Sequence, residues 1–440
     1  MDPLAQELND TLSAQNPCIY NMLSSLGQAL FFPRGILAQS AEAKEKAYRF
    51  NATIGIALEQ GTSMHLACIQ DLLADLHPDE VYPYAPAAGK PALRDRWRVK
   101  QLDENPLMRG KRIGRPIVTS ALTHGLSLVG DLFVDPGDLV VLPDKFWGNY
   151  RLIYRVRRGA RLVTYPLYNE SGGFNVKGLS AALAACSRSS GKALVILNFP
   201  NNPCGYMITP TEAEGIAAAL RETAERGTLL VVILDEAYFG LFYEDNLLTE
   251  SLFGYLANTH ERILAVKLDA ATKEEFVWGF RVGFLSYGAG GSGDLDQIYA
   301  ALEKKTMGAI RSSISNSSHL AQTLVLKALE HPDFARQRNE KVRILKRRAL
   351  KVKEALKNPD YGRVWTAYPF NAGYFMCLRL KNLDAEKVRL HLLDRYGIGV
   401  IASGPEDIRI AFSCIEEADI EELFATLYKA ASELLSGQAC

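Results

Sequence analysis

The 440-residue chain balances 50 lysines and arginines against 50 aspartates and glutamates, so no net field draws it to nucleic acid or an anionic membrane. An apolar share of 48% at this length fits a globular protein of two or three domains around a large core. No apolar stretch reaches membrane-spanning length, and the seven cysteines (Cys18, Cys68, Cys186, Cys204, Cys377, Cys414, Cys440) form no C-x-x-C pair, which argues for reduced thiols in a cytoplasmic setting and against a zinc site.

The first residues, Met1 to Ala5, carry no basic region followed by an apolar block, so no export signal is expected. Thr119-Ser120-Ala121-Leu122-Thr123-His124-Gly125 opens a helical pattern. Asp138–Leu142, Ala193–Leu197 and Leu229–Leu234 are short apolar runs of the kind buried on both faces of a parallel sheet. A helix is expected from Pro210 to Arg226, capped by Thr209 with proline at its first position. Asn198 and Asp235 each follow a strand-like run directly, and in such sheets ligands gather at the carboxyl ends of strands. Both are therefore expected in one crevice.

Gly288-x-Gly290-Gly291-x-Gly293 reads as a loop, with no acidic partner after a second strand to support dinucleotide binding. From about Leu320 to Lys357 the pattern is helical, and its basic stretch from Arg338 is interrupted by Glu340 and Glu354, as on a solvated helix face. Gly373–Leu378, Gly399–Ile401 and Ile408–Phe412 then read as short strands among helices. The expected fold class is α/β: a large domain (79–320) with a mostly parallel sheet flanked by helices, and a smaller α+β domain built from both chain ends (1–78 and 321–440).

The chemistry concentrates in three segments: Asn198-Phe199-Pro200-Asn201-Asn202-Pro203-Cys204-Gly205, then Asp235-Glu236-Ala237-Tyr238, then Lys273 with Arg281 eight residues later inside Gly279-x-Arg281-x-Gly283. They supply an amine nucleophile, a carboxylate, a phenol, an amide and a guanidinium. A phosphorylated pyridine aldehyde needs that set: a lysine to condense with it, a partner for the ring nitrogen, donors for the ring hydroxyl and charge for the phosphate.

From about Tyr82 onward the chain resembles the class I/II aminotransferases, the aspartate-aminotransferase-like pyridoxal-phosphate enzymes of fold type I. The resemblance implies a large domain with a seven-stranded sheet, pyridoxal 5'-phosphate as cofactor, and a homodimer with shared active sites acting on an amino acid and a 2-oxo acid. It gives Lys273 the Schiff-base role and a proton shuttle between the substrate α-carbon and the cofactor. Asp235 would pair with the pyridine nitrogen, and Tyr238 and Asn202 would donate to the ring hydroxyl. Arg281, with Ala121, Leu122 and Thr123 at the helix start, would hold the phosphate. Trp147 would stack on the ring, and Tyr84 would reach the partner subunit's phosphate.

Arg409 would clamp the substrate α-carboxylate, in a setting where the preceding loop (402–407) is shorter than usual in the family. Arg311, in Ile310-Arg311-Ser312-Ser313-Ile314-Ser315-Asn316, matches an arginine that binds a substrate's second carboxylate from the neighbouring subunit; an ordinary exposed or interface arginine is the other reading. Ala121 and Ala270 stand where a serine hydroxyl is usual, each a loss of one hydrogen bond of about 1 kcal/mol. The implied activity is amino-group transfer from an L-amino acid, of aspartate or glutamate type if Arg311 plays that part. A lyase or decarboxylase on the same scaffold, or a non-catalytic regulator that binds the cofactor, are the alternatives.

Overall fold

The computed structural model describes residues 1–15, 23, 28–29, 36–74 and 76–437. Its centre is a seven-stranded sheet: β1 (Ile117–Thr119), β2 (Leu139–Pro143), β3 (Arg161–Tyr165), β4 (Lys192–Asn198), β5 (Leu229–Asp235), β6 (Ile263–Ala270) and β7 (Gly283–Ala289), in the order β1-β7-β6-β5-β4-β2-β3. β7 runs antiparallel to the other six strands. The apolar runs form the central strands because their side chains alternate between two cores. Leu194, Ile196, Ile233 and Val266 enter one, and Val195, Leu197, Val232 and Ala265 the other.

The helices that cover this sheet start where their sequences say they should. Helix α1 (Ala121–Phe133) follows β1 after a single residue, Ser120. Helix α2 (Pro210–Glu225) begins with a complete capping box: Thr209 accepts from the Glu212 amide while Glu212 accepts from the Thr209 amide, with proline at the first position. Helix α3 (Leu295–Ser313) follows β7.

A second sheet, β8 (Trp365–Ala367), β9 (Phe375–Leu380), β10 (Ile401–Ala402) and β11 (Asp407–Ala411), is antiparallel throughout in the order β8-β9-β11-β10. Phe50–Asn51 pairs with Ile398–Gly399, so the amino-terminal stretch packs beside the carboxyl-terminal sheet. Gly205 joins the two bodies at φ +73: a Cβ there would land on the Phe375 carbonyl of β9, so only glycine lets the Asn201–Gly205 turn approach this closely.

Two expectations need correction. The basic stretch within helix α4 (Phe334–Ala355) is not simply a solvated face: Arg348 is buried, donating to the Leu58 and Ser413 carbonyls and pairing with Glu416, and Arg338 pairs with Glu275 at 3.1 Å. Local charge density does not reveal carboxylates and carbonyls that arrive from elsewhere in the chain. Gly288, expected in a loop, lies within β7, where a Cβ would meet Ala257 and Phe253 at 2.8 Å. The five described cysteines are buried, and Cys18 and Cys440 lie outside the described residues.

Candidate active site

The sheet topology decides where the chemistry collects. Asn198 and Asp235 are the last residues of β4 and β5 and stand opposite each other in register. The Asn198 amide donates to the Asp235 carbonyl at 2.9 Å, and its side-chain oxygen accepts from the Asn202 backbone at 2.8 Å. One strand end thus fixes both its neighbour and the following turn. Above them opens a cleft of about 180 Å³ between the two sheets. Ala121, Leu122, Thr123, Trp147, Asn202, Asp235, Tyr238, Lys273, Arg281 and Arg409 all line it.

Lys273 stands in a single helical turn, Ala271–Glu274, directly after β6. Burial pushes its amine down to about 8, against the pull of the Asp235 carboxylate and with a push from the Arg281 charge. Its Nζ lies 5.2 Å from the Tyr238 ring centre. Asp235 is buried; burial raises its pKa, opposed by the Tyr150 hydroxyl, which donates at 2.6 Å, and by Lys273. Among the described residues Asp235 makes no salt bridge, so its buried charge faces a cleft that a cationic ring nitrogen would complete. Burial likewise pushes the Tyr238 phenol up.

The phosphate end is made of backbone. Ser120 contributes no side-chain cap to α1, leaving first-turn amides of Ala121, Leu122 and Thr123 at the cleft, as an anion requires. Ala121 adopts φ +61. Gly283, closing the Gly-x-Arg-x-Gly run, lies against it, and a Cβ at Gly283 would come within 2.8 Å of the Ala121 backbone. Arg281, at φ +55, lies at the exposed rim.

Arg409 is 2% exposed. Its Nη2 donates to the Thr53 carbonyl at 2.8 Å and its Nη1 to Asn202 Oδ1 at 3.3 Å, and the guanidinium lies 4.2 Å from the Phe375 ring centre. Its Nε is buried and has no hydrogen-bond partner among the described residues, a cation held short of its full complement of acceptors. An anionic group in the cleft would supply one. The donor set as a whole (amine, buried carboxylate, phenol, helix amides, guanidinium) fits a phosphorylated pyridine aldehyde.

Two expected site residues do not line the cleft within one chain. Tyr84 is 90% exposed, and Arg311 is exposed near the end of α3, donating to the Ser315 hydroxyl. Four lining residues escaped the sequence reading: Gly55, Tyr150, Ala237 and Phe375. Tyr150 lies one helical turn beyond Trp147, and that spacing was a usable signal. Gly55 offered none, since the amino-terminal stretch reaches the cleft only through long-range packing.

The family described as aminotransferase class I and II matches residues 66–427. The chain belongs to it. A probable aspartate/prephenate aminotransferase of Aquifex aeolicus is 27% identical over 349 residues, covering 77% of this chain and 81% of its own. An aspartate aminotransferase of Sulfurisphaera tokodaii is 24% identical, over 70% of this chain and 72% of its own. Among solved structures, an aminotransferase from Anaerococcus prevotii superposes with a TM-score of 0.82 at 23% identity, covering 93% of this chain and 99% of its own, which shows the shared fold. This class I/II aminotransferase is a pyridoxal-phosphate-dependent transaminase acting on an amino acid and a 2-oxo acid. Membership favours transfer over the lyase, decarboxylase and regulator alternatives.

Proposed function

We propose that the protein transfers the amino group of a dicarboxylic L-amino acid, aspartate or glutamate in type, to a 2-oxo acid, with Lys273 as the residue that carries the cofactor and moves the proton. The observation that carries this reading is the convergence of Lys273, Asp235 and Arg409 on one cleft. Bound pyridoxal 5'-phosphate supplies an aldehyde that condenses with amines and a ring that takes up the electrons left by a departing α-proton.

The residues divide the remaining work. Arg409 would grip the α-carboxylate of the donor and orient its α-hydrogen toward Lys273 Nζ, the base that would take up that proton. Asp235, held by Tyr150, would keep the ring nitrogen protonated; Asn202 and Tyr238 would donate to the ring hydroxyl. Trp147 would cover the ring face. The α1 amides, Thr123 and Arg281 would hold the phosphate. Two hydroxyls usual in the family are missing at Ala121 and Ala270, and the α1 backbone is left to hold the anion there.

The dicarboxylic preference draws on Arg311 and on relatives named as aspartate aminotransferases. In this reading the protein is a cytoplasmic homodimer, divided at about residues 78 and 320, in which Tyr84 and Arg311 serve the partner's cleft. Both side chains are exposed in a single chain. Half-reactions with a panel of amino acids, followed by cofactor absorbance with products identified, test the whole. Aspartate or glutamate should react fastest, and Arg311→Ala should slow them selectively by roughly 2–5 kcal/mol in kcat/KM, the cost of unpairing a buried charge. Equal losses for alanine and aspartate would remove the second-carboxylate role.

A further inference from the structure

Behind the cleft, two charged side chains tie its walls together. Lys145 lies in the turn after β2, two residues before Trp147; Asp407 opens β11, two residues before Arg409. Residues two apart on a strand share a face, so Asp407 and Arg409 leave β11 on the same side. Lys145 Nζ stands 2.6 Å from Asp407 Oδ2, and the Tyr368 hydroxyl donates to Asp407 Oδ1 at 2.9 Å. The Asn201 side-chain amide donates to the Lys145 carbonyl at 3.1 Å, tying this turn to the one that carries Asn202.

The pair is largely shielded, with side-chain exposures of 21% for Lys145 and 11% for Asp407. Burial alone would depress the Lys145 ammonium, but the adjoining carboxylate reverses this and pushes its pKa up. Arg409 itself reaches Asn202 only at 3.3 Å, a weaker tie across the cleft than the 2.6 Å ion pair. The stronger fastening of β11 to the seven-stranded sheet at this point is therefore Lys145–Asp407, and a carboxylate clamp displaced by about 1 Å can lose about 100-fold in effectiveness.

We propose that Lys145 and Asp407 are positioning residues for substrate recognition: their pairing sets β11, and with it the Arg409 guanidinium, at the distance from the Trp147 wall that an amino acid's α-carboxylate requires. The proposal rests on Arg409 being the carboxylate clamp.

The test is calorimetric binding to the cofactor-loaded protein of α-methylaspartate, which has the α-carboxylate but no α-proton to lose. α-Methylalanine serves as the monocarboxylic arm. Lys145→Met and Asp407→Asn should each weaken both ligands about tenfold or more, with the double variant no weaker than either single one, because the two substitutions remove the same interaction. Lys145→Arg should restore binding to within about threefold, and the visible spectrum of the bound cofactor should stay that of the wild type throughout. Binding to Lys145→Met within about twofold of wild type, or a Lys145→Arg variant as weak as the methionine one, overturns the proposal. Arg409→Ala is the reference: unchanged binding there sinks the clamp itself, whereas loss in Arg409→Ala with none in Lys145→Met sinks only the positioning role.

Discussion

Lys273 is a buried amine whose nearest carboxylate does not fully offset its desolvation, and that imbalance sets its chemistry. With its pKa lowered to about 8 from the ordinary 10.5, the neutral, nucleophilic form dominates above about pH 8. The rate at which cofactor-free protein captures pyridoxal phosphate should therefore rise with pH, bend near 8 and then level. Stopped-flow absorbance checks this; a bend near the ordinary lysine value would contradict the burial argument. At this scale most of the site was legible, because Lys273, Arg281, Asp235 and Asn202 sit in motifs with fixed spacing. Tyr150 was not singled out: its spacing from Trp147 places it near the site, but its hydrogen bond is to Asp235, 85 positions away, and forms only because β5 arrives beside it.

At the scale of elements, the helices and central strands follow from local chemistry. Helix α2 is the clearest case, with its capping box and first-turn proline. Thr209→Ala should cost about 1 kcal/mol of unfolding free energy in urea titrations while leaving the half-reaction rate unchanged, since the cap lies outside the cleft. A loss well beyond that, or a change in rate, would mean the cap also holds the Asn201–Gly205 turn. Short elements were harder to read. The stretch read as one strand, Gly399–Ile401, falls across two: Ile398–Gly399, which pairs with Phe50–Asn51, and β10 (Ile401–Ala402), which pairs with β11. Arg348 is buried and Arg338 half-buried, yet both looked solvated in the sequence because their acceptors are distant in it.

For the whole molecule, the alternation of apolar strands and helices made an α/β fold with a mostly parallel sheet predictable, while β7's reversal carried no sequence signal. The exposed Tyr84 and Arg311 make the proposed dimer testable by mixing inactive chains. A hybrid of a Lys273→Ala chain with a Tyr84→Ala chain contains one cleft with an intact Lys273 and an intact Tyr84 only if each cleft borrows Tyr84 from its neighbour. Activity recovered on mixing is the expected result; hybrids no better than the parent Tyr84→Ala protein would place each site within one chain. Most directly, the loaded protein can be reduced with borohydride and its peptides weighed. The account requires one pyridoxyl-phosphate group per chain, on Lys273; a group on any other lysine, or none that reduction can fix, would contradict it.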